Sequence, residues 1–179
     1  AYFHRLKPVD FRLLSEFGAI EGANITDWPI RYDELEPYYA KTESVVGVSG
    51  KVVPHRNLEP RSTPDFPYPP LAENIFSTWL DEAATRLNVE MIPSSRGILS
   101  QSKDERNACY YSNYCGSYGC SSDAKGSSRA ALLNDAMKTE NCTLIAEAKV
   151  YHLETDGNGT IIKAHYYDST GESQAIEAG

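Results

Sequence analysis

The chain has 179 residues, 41% of them apolar and 23% charged, enough for one ordinary domain or a small domain with an appendage, built on a real core. Its net charge is −8, from 17 basic against 25 acidic side chains, and no run of Lys or Arg gathers into a patch. That argues against binding nucleic acid, which needs clustered cations, and against docking on an anionic membrane surface. No stretch reaches the ~18 apolar residues of a membrane helix, and Ala1 to Arg12 lacks the sustained apolar region of a signal peptide. The missing initial Met and the stop at Ala178-Gly179, just past a strand pattern, make an internal segment of a longer protein the expectation.

Residues 1–32 read as irregular, broken by Gly18, Gly22 and Pro29. Asp33-Glu34-Leu35-Glu36 reads as a capping box opening a helix, with Pro37 in its first turn. Leu35, Tyr38, Tyr39, Thr42, Val45 and Val46 follow at helical spacing, and Gly47 closes the element. Residues 51–71 form a long loop carrying six prolines, Pro54 to Pro70; loops of that length are usually functional or packed over a site. A second helix is expected over 72–87, with Ile75, Phe76, Trp79, Leu80, Ala83, Ala84 and Leu87 as its apolar stripe and Asn88 as its C-terminal cap. Val89–Ile92 suggests a short strand.

Residues 94–127 are polar and rich in Ser, Tyr and Gly, and Ser127 or Ser128 can cap a helix reaching about Lys138. The period then changes. Thr143–Leu153, Thr160–Asp168 and Glu172–Ala178 read as three strands joined by Asp156-Gly157-Asn158-Gly159 and Asp168-Ser169-Thr170-Gly171. The expected fold class is α+β: a loop-rich helical part over 1–140, then a three-stranded antiparallel β-meander over 141–179.

Four cysteines are present, and Cys109, Cys115 and Cys120 fall within twelve residues. Two disulfides, one disulfide among the three, and free thiols are all open readings. Zinc is disfavoured, since three thiolates with no nearby His leave a structural site one ligand short. Cys142 reads as an inert residue at a strand edge. Tyr110, Tyr111, Asn113, Tyr114 and Tyr118 suit sugar faces and hydroxyls, although a packed Tyr-rich loop accounts for them as well. His152 and His165 lie on strand patterns, and His55 in the Pro-rich loop reads as solvated; neither these nor His4 is assigned to catalysis.

The string Asp27-Trp28-Pro29-Ile30-Arg31-Tyr32-Asp33-Glu34-Leu35-Glu36-Pro37-Tyr38-Tyr39, with Glu43 and Gly47-Val48-Ser49-Gly50 after it, resembles the stretch that follows the flavin-binding N-terminus in glucose–methanol–choline oxidoreductases. Phe11, the run from Arg61 through Tyr68-Pro69-Pro70-Leu71, and Cys115-Gly116-Ser117-Tyr118-Gly119-Cys120 with Ala124-Lys125-Gly126-Ser127-Ser128 agree in order with the sugar and gluconate dehydrogenase branch. Leu144, Ala148 and Val150 match the strand that follows.

The resemblance implies a piece of a larger FAD-binding α/β enzyme that oxidises a CH–OH group of a sugar, sugar acid or alcohol. Residues 1–140 would lie on the substrate side, and the meander would belong to the flavin domain. Ala148 and Val150 would lie near the adenine ring. No Gly-x-Gly-x-x-Gly occurs to anchor the pyrophosphate, and nothing matches the family's catalytic His, so this segment supplies no catalytic residue and is expected to be inactive alone. By the same resemblance Cys109, Cys115 and Cys120 would hold a three-iron, four-sulfur cluster passing electrons to a cytochrome partner, although their spacing departs from the expected pattern. The resemblance also places the enzyme in the periplasm or at a membrane. Its partners would be the sugar or alcohol substrate and the remainder of the parent enzyme, and pairing along the exposed meander edge would give a homo-oligomer. A carbohydrate-binding or interaction module, and an iron–sulfur relay module, stand as alternatives.

Overall fold

The computed structural model describes residues 3–112, 115, 116 and 118–178. Four α-helices precede a three-stranded antiparallel sheet, an α+β arrangement. The chain divides into two compact units, Ala1–Asp135 and Ala136–Gly179.

The opening segment is less irregular than its glycines suggest. Pro8–Phe11 is a 3-10 turn, and α1 covers Leu13–Phe17. Pro8 sits at the first position, where its missing N–H costs nothing, and the Asp10 carboxylate accepts the Lys7 amide at 2.6 Å. Phe11 is buried edge-on between Trp28 and Tyr32, at 5.7 and 6.3 Å between ring centroids.

α2 runs Tyr32–Val46. Its capping carboxylate is Glu34, which accepts the Arg31 amide at 2.6 Å, so the box opens two residues before the expected Asp33. Glu36 cannot serve, because Arg5 and Ser62 hold it. Pro37 therefore falls in the second turn, not the first. Gly47 ends the helix in the left-handed region at φ 80°, where its amide reaches the Glu43 carbonyl at 2.9 Å. A side chain at this position would run into Leu99.

The core of the first unit is a stack of short extended pieces. Ser49 bridges Tyr68 on one side and Arg96 on the other, and Ile98 bridges Lys125. Val48, Leu99 and Ala124, all fully buried, lie on these pieces. The Ser49 hydroxyl donates to the Ile98 carbonyl at 2.6 Å, and Arg106 donates to the carbonyls of Val46, Asp123 and Ala124, which ties the end of α2 to the stack.

α3 covers Ile75–Arg86, shorter than the expected 72–87, because Asn74 caps it by accepting the Ser77 amide at 3.0 Å. Asn88, at φ 53°, takes the left-handed position just beyond its end. Of the apolar stripe only Ala84 is buried; Phe76 and Trp79 are 62% and 59% exposed. Residues 89–92 form no strand. Arg129–Leu133 is a π-helical turn leading into α4, Asn134–Lys138, and Ser127 supplies the capping hydroxyl to the Ala130 amide at 3.2 Å.

In the second unit β1 (Lys149–Thr155), β2 (Ile161–Tyr167) and β3 (Ser173–Glu177) form a meander in the order β1-β2-β3. β1 starts later than the expected Thr143, since residues 143–148 are not extended strand and Glu147 turns left-handed at φ 54°. Cys142 consequently lies outside the sheet, half-buried. Pairing slips between Val150 and His152, leaving Tyr151 as a bulge that stacks on Tyr167 at 4.5 Å. The two hairpins reuse one device. Asp156 accepts the Asn158 and Thr160 amides, Asp168 accepts those of Thr170 and Glu172, and Gly159 and Gly171 each take φ 85°. Hydrogen bonds from Thr170 and Gln174 hold the Asp168 carboxyl down to about 2.

Candidate functional site

The buried chemistry of the first unit is a network of charges that the two loops bring to α2. Tyr32, Glu36, Tyr39 and Glu43 recur at helical spacing and so share one face. Arg5 reaches that face from the N-terminal segment. It binds Glu43 with both Nε and Nη2 (2.8 and 2.9 Å), and Glu36 Oε1 and the Tyr32 hydroxyl with Nη1 (2.8 and 3.3 Å). Arg61 reaches it from the Pro-rich loop, donating to both Glu43 oxygens at 2.5 and 3.3 Å while its guanidinium lies 4.2 Å from the Phe66 ring centre.

Side-chain exposure is 1% for Arg5, 2% for Glu43 and 4% for Arg61, so these pairs sit out of water. Burial alone would push Arg5 down, but its bonds to Glu43 and Glu36 more than offset this and hold it charged above the ordinary range. The Ser62 amide, opposed by burial and helped by Arg5, holds the Glu36 carboxyl down to about 2. Burial raises Tyr32, and Arg5 offsets part of that. The Tyr32 hydroxyl donates to the Pro60 carbonyl at 2.7 Å and fixes the Pro-rich loop at that point.

Beside the network lies a cavity of about 420 Å³. Pro8, Phe11, Tyr32 and Pro60 supply its apolar lining. Its charged lining is Glu36 and Arg61 from the network together with Arg12, Arg31 and Asp33. Sequence reading passed over Arg5, Glu36, Glu43 and Arg61 as site residues. The available signal was the recurrence of Tyr and Glu along one face of α2, which an apolar count discards.

The cysteine loop hangs from the extended stack. The Cys109 amide bonds the Leu99 carbonyl and the Asn107 amide bonds that of Ser122, each a closing rung at its stem. Cys115 is exposed, Cys109 and Cys120 half-buried, and all three are free thiols. Burial pushes the Cys120 thiol up, but the Ser122 hydroxyl and the amides of Lys125, Ser122 and Ala124 outweigh it and bring it below its ordinary value. Among the described residues no three His, Cys, Asp or Glu side chains gather to hold a metal ion. Tyr110 and Tyr118 are exposed, and the Tyr111 hydroxyl accepts the Ala72 amide at 2.9 Å, which makes it a loop tie. Asn113 and Tyr114 lie outside the described residues.

In the second unit Ala148 immediately precedes β1, and Val150 lies on that edge strand, exposed and paired with Tyr166 on its inner side. His152 faces His165 across the pair at 5.4 Å, and His165 Nε2 lies 3.0 Å from Glu154. None of the described helices is long and apolar enough to cross a membrane.

No family model matches the chain. Three dehydrogenases are similar to it. It is 33% identical over 111 residues to the 2-methyl-1,2-propanediol dehydrogenase of Mycolicibacterium austroafricanum, covering 60% of this chain and 18% of that protein. It is 28% identical over 180 residues to the fructose dehydrogenase large subunit of Gluconobacter japonicus, covering 97% and 30%. It is 26% identical over 152 residues to the gluconate 2-dehydrogenase flavoprotein of Pantoea cypripedii, covering 72% and 25%. The chain thus spans less than a third of each relative, and all three names denote dehydrogenases of an alcohol, a sugar or a sugar acid.

Proposed function

We propose that the chain is part of an FAD-dependent dehydrogenase that oxidises a CH–OH group of a sugar, sugar acid or alcohol, as the glucose–methanol–choline resemblance implies. The observation that carries this reading is the match to a fructose dehydrogenase subunit along 97% of the chain. A flavin finds support in the gluconate dehydrogenase relative, which is named as a flavoprotein. When bound, FAD would supply the acceptor for the hydride leaving the carbinol carbon.

The residues present fit a supporting role toward that group. Ala148 just precedes and Val150 lies on β1, an edge strand of the meander, and their small apolar side chains would allow an adenine ring to approach closely. Neither unit carries a Gly-x-Gly-x-x-Gly turn, so the phosphates would be held by other parts of the enzyme. On the substrate side, the network around Glu43 fixes the N-terminal segment and the Pro-rich loop as rigid walls. A three-iron cluster on Cys109, Cys115 and Cys120 is what the resemblance implies; the three are free thiols on one loop, and no step is derived through a cluster. The Gluconobacter relative is named as a large subunit, and this chain's parent is accordingly read as working beside a further subunit.

The test is anaerobic mixing of the full-length protein with fructose, gluconate or 2-methyl-1,2-propanediol while the visible flavin spectrum is recorded. Bleaching by one of the three is expected. A colourless protein that takes up no FAD, or a flavin that none of a broad panel of alcohols and sugars reduces, would refute the reading.

A further inference from the structure

The meander has two unlike faces. Residues paired across neighbouring strands share a face, so the register divides the sheet. Val150, Leu153, Ala164, Tyr166 and Ile176 fall on one side, and alternation along β2 adds Ile162. Lys149, His152, Glu154, Lys163, His165 and Glu177 fall on the other. The bulge keeps the two sets apart. Val150 and Leu153 would point opposite ways in a regular strand. The extra residue, Tyr151, returns both to one side, stacks on Tyr167 and bonds the Ser173 hydroxyl at 2.7 Å on the charged side.

The charged face suits water, with His165 Nε2 3.0 Å from Glu154 and Lys163 Nζ 3.8 Å from Glu177. The apolar face does not. Val150 is 56% exposed, Leu153 50%, Ile176 48% and Ile162 37%. Among the described residues the second unit holds no further strand, and only the end of α4 besides. A small antiparallel sheet is stable when its apolar face packs on another layer. Size selects that layer. Three strands about 4.8 Å apart and five residues long present a face of roughly 14 by 17 Å, well under the ~800 Å² per partner of a stable complex between separate molecules. Such a face is held by a segment of its own polypeptide, for which no association entropy is lost. One α-helix, ~10–12 Å across, matches the width of three strands. The chain covers only 30% of the Gluconobacter relative, so a protein of that length has ample chain outside these residues to supply it.

We propose that the Val150–Leu153–Ile162–Ile176 face of the meander is the seat of one amphipathic α-helix, contributed by the same polypeptide from outside these 179 residues. The helix lays aliphatic side chains across the three strands and leaves the charged face to solvent. The inference rests on the chain being part of a longer protein, and on nothing about the reaction that protein performs.

The test is maleimide labelling of the full-length folded protein carrying Ile176→Cys or Ala175→Cys, read peptide by peptide by mass spectrometry so that the native cysteines do not interfere. The two positions adjoin on β3 and face opposite ways. Ile176→Cys should react at least tenfold more slowly than Ala175→Cys, equally so on dilution, and the difference should vanish in strong denaturant. In otherwise unaltered protein grown on photo-leucine, the cross-link from Leu153 should end in a helix of the same chain outside these 179 residues. Equal labelling rates overturn the proposal, as does a Leu153 link to a second copy, to another subunit or to a position within the 179 residues. If Ile176→Cys does not fold, the Leu153 link alone decides. Flavin bleaching is read on unaltered protein. Its absence with the Leu153 link as expected sinks the dehydrogenase reading alone, and bleaching without that link sinks this proposal alone.

Discussion

Replacing Glu43 by Gln tests whether buried charge, not apolar packing, holds the first unit together. Glu43 accepts four hydrogen bonds from two guanidiniums, at 2.8 and 2.9 Å from Arg5 and 2.5 and 3.3 Å from Arg61. Glutamine keeps the shape but removes the charge and turns one acceptor into a donor aimed at arginine. Arg5 would then keep Glu36 and Tyr32, Arg61 would keep Glu59 and Thr63, and the two guanidiniums would share one neutral carbonyl oxygen where they now share a carboxylate. Removing one partner of a buried pair costs about 3–5 kcal/mol, because the other charge stays out of water. With a urea slope of about 2 kcal/mol/M the midpoint should fall by roughly 2 M. The measurement is urea unfolding followed by tryptophan fluorescence, with Arg61→Met and the double variant completing a cycle that isolates the pair. A shift worth less than about 1 kcal/mol would place Glu43 with exposed surface pairs and refute the argument.

Three further outcomes follow from the same geometry. Glu36 titrates near 2 in the folded state against an ordinary value of 4.5, so it favours folding above pH 4.5, and that contribution is lost as pH falls toward 2. The urea midpoint should decline as pH falls below 5, with roughly 2–3 kcal/mol of the loss from Glu36, and Glu36→Gln should make that acid limb shallower while leaving the share of Asp168, also held near 2. Gly47→Ala should cost about 2–4 kcal/mol in the same assay, since it combines left-handed strain at φ 80° with a clash against fully buried Leu99. Asn74→Ala removes the cap of α3 and should cost about 1 kcal/mol, seen as faster hydrogen exchange of the Ser77 amide without change in the sheet.

The elements were legible where period and punctuation agree. α2, α3 and the three strands follow from apolar spacing closed by Gly47, Asn88, Gly159 and Gly171. Boundaries slipped where a side chain had a stronger long-range partner. Glu36 was expected to act in a capping box and instead holds Arg5 and Ser62, and Glu147 in a left-handed turn shortened β1. The α3 stripe was legible as a stripe, but periodicity cannot say what covers it, and Phe76, Trp79 and Leu87 stand exposed. The site was the least legible part. Arg5 and Arg61 lie in segments without periodicity, and their significance appears only when the chain brings both to one face of α2.

That assembly explains how two stretches without a long regular element become fixed walls. The N-terminal segment buries Phe11, but neither stretch has a long helix or strand whose backbone bonds would offset the entropy of ordering it. Each instead inserts one arginine into α2, and the helix supplies the carboxylates at Glu36 and Glu43, two turns apart on one face. A hydrophobic replacement of the whole cluster could match it in stability, but it would not fix position as narrowly, because bidentate arginine–carboxylate bonds tolerate little sliding. Pro8 and Pro60, both lining the cavity, lie within three residues of the arginines that anchor their segments. The cavity's shape is therefore set by the charge network, and salt should change it little, since ions screen exposed pairs far more than buried ones.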